Sequence, residues 1–91
     1  MPMQHVVWIP ALYRDLTGGA ETIPVEGETV GELIAQLETQ FPGFAARLSE
    51  NGKLRANIAV AINGEITHNG LRQRLTAPSE VHFIPALSGG S

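Results

Sequence analysis

His5-Val6-Val7-Trp8-Ile9 is a β-branched and aromatic run, and Pro10 closes it by removing a backbone donor; a strand is predicted over Gln4 to Ile9. Ala11 to Leu16 reads as a short turn or helical loop ended by Gly18-Gly19. In Glu21 to Glu26, Ile23 and Val25 alternate against Glu21, Pro24 and Glu26, which predicts a second short strand. Pro24 places that strand at a sheet edge, where a missing donor is tolerated. The two strands and their glycine-rich join make an N-terminal hairpin.

At Thr29 the period changes. Thr29-Val30-Gly31-Glu32 has capping-box spacing, with Thr29 as N-cap and Glu32 able to reach back. Val30, Leu33, Ile34, Leu37 and Phe41 then form one apolar stripe at helical spacing. Pro42-Gly43 stops this helix, and Phe44 and Leu48 mark a short second one ending near Asn51-Gly52. From Ile58 to Ile62 the pattern is a strand, with Ile58, Val60 and Ile62 on one side and alanines on the other. Asn63-Gly64 follows, a strong hairpin signal because both residues tolerate positive φ, and Glu65 to Thr67 is the return strand. A long connection over Leu71 to Pro78 leads to a last strand, Glu80 to Pro85, with Val81 and Phe83 on one face and His82 and Ile84 on the other. This order of elements predicts an α+β roll: a mixed sheet with one main helix packed on one face.

Ninety-one residues suffice for one domain with a single core. Residues 1–85 are read as that domain and 86–91 as a flexible tail. With 43% hydrophobic and 16% charged residues and a formal charge of −3, the chain is globular rather than disordered. Its dispersed cations do not suit a phosphate backbone, so nucleic acid is not expected as a partner. No apolar run reaches the length of a membrane span, and the N-terminal residues lack the basic and apolar regions of a secretory signal, so a cytoplasmic protein is expected. Cysteine is absent, which removes disulfides, thiolate metal sites and a cysteine nucleophile. Any sulfur handled here must sit on another atom.

After the last strand come Ala86-Leu87-Ser88-Gly89-Gly90-Ser91. Glycine has no Cβ, so two in a row let another protein close around the chain, and chemistry at a terminal carboxylate needs that access. Ile9-Pro10-Ala11 with Thr17-Gly18-Gly19, Val25-Glu26-Gly27, Thr29-Val30-Gly31-Glu32-Leu33, Val60-Ala61-Ile62-Asn63-Gly64-Glu65 and the ending from Val81 to Gly90 occur in one order. In that order they resemble the MoaD/ThiS family of ubiquitin-like sulfur carriers over essentially the whole chain. Asn51-Gly52-Lys53-Leu54-Arg55 is closer in pattern to MoaD-type and cysteine-pathway carriers than to the shorter thiamine carriers.

The resemblance implies a β-grasp fold whose Gly90 carboxylate is adenylated by an E1-like adenylyltransferase, with ATP used by that partner, and converted to a thiocarboxylate. A sulfur-accepting synthase then takes the sulfur. The chain would be a carrier and co-substrate with no catalytic residue and no permanent cofactor; Gly89, Ser88, Leu87 and Ala86 would thread the tail into the partner. A protein modifier joined through Gly90 to a target lysine uses the same activated carbonyl and is the alternative; a binding module with an inert tail is a third. Family members active in this way end at the second glycine, whereas here Ser91 follows. Either Ser91 is native and is trimmed, with a JAMM-type zinc peptidase the implied hydrolase, or it is foreign to the natural chain. The second departure is Ala77-Pro78-Ser79-Glu80, where the family often has a Gly-Asp turn.

Other groups carry less. His5, His68 and His82 show no metal-ligand spacing and read as solvated or half-buried structural residues. Ser88 and Ser91 have no base and orienting acid, and Thr17-Gly18-Gly19 reads as a tight turn rather than a phosphate loop. The sheet face opposite the helix should be open, and ubiquitin-like folds commonly dock partners there. Trp8, His82 and Ile84 are its candidate contributors, but the alternation alone also permits Trp8 to fill the core.

Overall fold

The computed structural model describes residues 3–85. Strand β1 (Gln4–Trp8) pairs antiparallel with β2 (Thr22–Glu26), and a 3-10 segment (Ala11–Thr17) lies between them. Helix α1 (Val30–Gln40) and the single-turn α2 (Phe44–Leu48) follow, then β3 (Ser49–Glu50), β4 (Lys53–Leu54), β5 (Ile58–Ile62), β6 (Glu65–Thr67) and β7 (Glu80–Pro85). The main sheet has the order β2-β1-β7-β5-β6. Only β1 and β7 run parallel, because the chain must cross over the helix face to bring β7 between β1 and β5. This is the expected roll. Pro24 lies on the edge strand β2, opposite Val6 in register, where its lack of an N–H leaves the ladder intact.

One face of the sheet and the stripe of α1 make the core. Val30, Leu33, Ile34 and Leu37 are buried against Val7, Ile23, Val25, Ile58, Val60, Val81 and Phe83. Thr29, extended at φ −139°, accepts a hydrogen bond on its side-chain oxygen from the Glu32 N–H at 3.1 Å. Glu32 reaches back, as its spacing predicts, but its Oε1 accepts from the Glu28 N–H at 2.8 Å, one residue upstream of the cap. Helix α2 has no capping side chain of its own. Glu38 supplies one from α1, accepting from the Gly43 and Ala45 N–H groups at 3.0 and 2.9 Å. Those two backbone hydrogen bonds, Gly43 first, hold its carboxyl below the usual glutamate range. Phe44, fully buried, meets the Tyr13 ring edge-on with centroids 6.4 Å apart. The Arg47 guanidinium covers the same tyrosine at 5.6 Å, so α2 pins the 3-10 segment.

Two local results differ from the expectation. Helix α2 stops at Leu48, and the chain then makes a two-residue hairpin, β3 to β4, turned by Asn51 and Gly52 at φ 55° and 78°. Asn63 and Gly64 use the same left-handed pair, φ 51° and 88°, to turn β5 into β6. Strands of two residues are too short to show alternation, which is why only the larger hairpin is evident in the pattern. Second, His5 is neither solvated nor half-buried: it is 1% exposed. Its Nδ1 accepts from the Ser79 N–H at 3.1 Å, which makes Nε2 the protonated nitrogen that donates to the Gly27 carbonyl at 2.9 Å. The Ser79 carbonyl in turn accepts from the Val6 N–H at 3.0 Å. The Ala77–Glu80 turn is thus held by a histidine on β1.

Candidate functional site

The register decides which side chains share the open face. Trp8 lies opposite Thr22 on one side and His82 on the other; His82 lies opposite Ala61, and Ala61 opposite Ile66. Directly opposed residues point to the same side of a sheet. Thr22, Trp8, His82, Ala61 and Ile66 therefore form one row across all five strands. Beside it lie Pro24, Val6 and Glu80 in one direction, and Ile84 with Ala59 in the other. The buried residues Val7, Val81, Phe83, Ile58 and Val60 have the opposite parity.

The two readings of Trp8 are separated by this register: Trp8 stands on the open face and Val7, at 0% exposure, fills the core. The Trp8 and His82 rings are stacked, with centroids 5.2 Å apart and planes 8° from parallel. The indole Nε1–H donates to Glu80 Oε1 at 3.0 Å, so the ring is oriented by both neighbours. Val6, Ile84 and Ile66 are 41%, 44% and 50% exposed and surround the half-buried pair. Together these side chains make a contiguous aromatic and aliphatic surface. The structure thus brings together Trp8, His82 and Ile84, the three residues predicted for this face. It adds Val6, Glu80, Ala59, Ala61 and Ile66, which only strand pairing could assign.

The described residues end at the rim of this surface. Strand β7 ends at Pro85, opposite Ile58, and Ile84 is its last outward side chain. Because β1 and β7 are parallel, the segment after β1 emerges at the same end, and there Leu12 is 68% exposed. Ala86, Leu87, Ser88, Gly89, Gly90 and Ser91 lie outside the described residues. Among the described residues no three His, Asp or Glu side chains are grouped to hold a metal ion. No helix among them is long and apolar enough to cross a membrane. The remaining polar cluster is tied up internally: Gln73 Oε1 accepts from the Thr67 hydroxyl and from Asn69 Nδ2, and its Nε2 donates to the Arg74 carbonyl.

A model of the ThiS family matches residues 7–90, from the first core strand to the second glycine of the tail. The chain belongs to the ThiS family. It is similar to the sulfur carrier protein CysO of Mycobacterium tuberculosis, 32% identical over 93 residues that cover 97% of this chain and 100% of the relative. It is also similar to small archaeal modifier protein 3 of Haloferax volcanii, 34% identical over 64 residues, covering 68% of this chain and 70% of that one. Among solved structures, a chain of the BexX/CysO complex of Amycolatopsis orientalis superposes with a TM-score of 0.87 at 33% identity, covering 93% and 98% of the two chains. Small archaeal modifier protein 1 of Methanosarcina acetivorans follows this ThiS-family chain with a TM-score of 0.82 at 25% identity over 99% of both. The fold of this family member is the expected β-grasp, and the relatives at this similarity are carriers and modifiers rather than enzymes.

Proposed function

We propose that this ThiS-family chain carries sulfur as a thiocarboxylate on Gly90. The observation that supports this most directly is the family match running through Gly90, together with end-to-end similarity to a sulfur carrier. With Ser91 attached, the Gly90 carbonyl is an amide; hydrolysis of the Gly90–Ser91 bond, the work of a JAMM-type zinc peptidase, yields the free carboxylate. An E1-like adenylyltransferase then joins that carboxylate to the α-phosphorus of ATP and releases pyrophosphate. Sulfide attacks the acyl carbon, AMP leaves, and a thiocarboxylate remains. A sulfur-accepting synthase takes the sulfur for cofactor, cysteine or thio-metabolite synthesis, and hydrolysis, with water supplying the oxygen, returns the Gly90 carboxylate. The absence of cysteine fits this chemistry, because the sulfur rides on the terminal carbonyl. Trp8, His82 and Ile84 form the surface on which the activating enzyme seats the domain, and Ala86 to Gly89 thread the tail into its active site. The setting is the cytoplasm.

Intact mass of the protein from its native host tests this. The expected species ends at Gly90 with one oxygen replaced by sulfur, and only when the E1-like enzyme is present. A single unmodified species ending at Ser91 under every condition refutes it. The similarity to an archaeal modifier protein favours one second reading, conjugation of Gly90 to a lysine amine. Higher-mass adducts that survive reductant, without any thiocarboxylate, would establish that reading instead.

A further inference from the structure

The open sheet face is uneven in both height and charge. Its β5 positions are Ala59 and Ala61, flanked by His82 and Ile84 on β7 and by Ile66 on β6. Alanine carries a single methyl, so the face sinks along β5 between taller walls and forms a trough one strand wide. Ala61, at 5% exposure, lies at its floor, while Ile66 and Ile84 stand 50% and 44% exposed at its sides. Beyond the His82–Trp8 stack the surface becomes acidic. Glu80 is exposed and shares this face with Glu26, which pairs with Gln4. No Arg or Lys occupies an outward position on β1, β2, β5, β6 or β7; Arg47 and Arg55 lie elsewhere, paired with Asp15 and Glu50. Glu80 makes no ion pair among the described residues, and its one side-chain partner is the neutral Trp8 indole.

From this we infer that the partner seated on this face presents an apolar side chain to the Ala59–Ala61 trough and an arginine or lysine to the Glu80 carboxylate beside Trp8, with Glu80 deciding which partner is accepted. The inference rests on the sheet face being the docking surface. Charge complementarity commits the occupant. A carboxylate beside an aromatic and aliphatic patch that carries no Arg or Lys is partly desolvated when a partner closes over it, and a partner without a cation would leave it unpaired at a cost. A guanidinium matches the site best, since it pairs with a carboxylate and also stacks on indole. An acidic partner is repelled, which supplies discrimination as well as affinity.

Three variants separate the terms, assayed by calorimetric titration against the host's E1-like enzyme. Glu80→Gln keeps an oxygen acceptor for the Trp8 N–H and removes only the charge. It should weaken binding and flatten its dependence on salt. Glu80→Arg should weaken binding by about tenfold or more. Ala59→Leu fills the trough from the solvent side and should weaken binding comparably while leaving the urea midpoint of the free protein unchanged. Affinities of Glu80→Arg and Ala59→Leu within about twofold of wild type, a difference under about 0.5 kcal/mol, overturn the inference. So does failure of the wild-type chain to bind the enzyme at all. Binding with the expected charge dependence but without adenylation keeps this inference and removes the sulfur-carrier reading; adenylation with charge-indifferent binding does the reverse.

Discussion

Replacing His5 with alanine removes a side chain that ties the start of β1 to both the β2–α1 connection and the turn before β7. In the native fold the imidazole satisfies the Gly27 carbonyl and the Ser79 N–H, and at 1% exposure water does not substitute for it. Each backbone group left unpartnered costs about 1–3 kcal/mol. The emptied ring volume adds about 1 kcal/mol beyond that. The expected loss centres on about 5 kcal/mol, out of about 5–14 kcal/mol for a 91-residue domain. At about 4–8 °C per kcal/mol the midpoint falls by about 20–40 °C. Urea unfolding followed by emission of Trp8, the single tryptophan, measures it. His5→Phe separates the causes: it refills the volume but leaves both backbone groups unpaired, so it should recover only the smaller part. A His5→Ala loss below about 1 kcal/mol, or full recovery by His5→Phe, would falsify the assignment of His5 as a polar clamp.

Two further outcomes follow from local geometry. Glu38, held below the usual glutamate range by the Gly43 and Ala45 N–H groups, contributes stability that is fully present above the ordinary carboxylate pKa and is lost as the pH falls through its lowered value; stability measured against pH in acid should fall less steeply for Glu38→Gln than for wild type, and parallel curves would show that these bonds contribute nothing. Gly64 sits at φ 88° with open space where a Cβ would lie, so Gly64→Ala should cost about 1–2 kcal/mol of backbone strain alone, whereas an unchanged urea midpoint would mean that the β5–β6 turn is not held in this conformation.

Much of the fold is legible along the chain because its signals are local. The stripe Val30, Leu33, Ile34, Leu37 needs only the helical period, Thr29 and Glu32 need only each other, and Asn63-Gly64 specifies its turn through its own φ values. Pro24 marks the edge strand by the donor it lacks. His5 is different: in sequence it is a lone histidine at a strand start, and its burial arises from Gly27 and Ser79, 22 and 74 residues away. The β3–β4 hairpin escapes notice because two residues cannot show a period. Glu38 caps a helix it does not belong to, which no spacing rule encodes.

The order of strands and helix, the polarity of each strand's two faces and the diglycine ending were determined by the sequence itself, because period, turn chemistry and composition act over a few neighbouring residues. Which faces meet was decided only by tertiary structure. Trp8 could satisfy the pattern inside or outside; the parallel pairing of β1 with β7 places it beside His82 and leaves Val7 to the core. The same pairing brings Glu80 to the Trp8 indole across 72 residues of chain. A surface built from five strands exists only once they are paired, since hydrogen-bond register between distant segments, rather than any local preference, determines which side chains become neighbours.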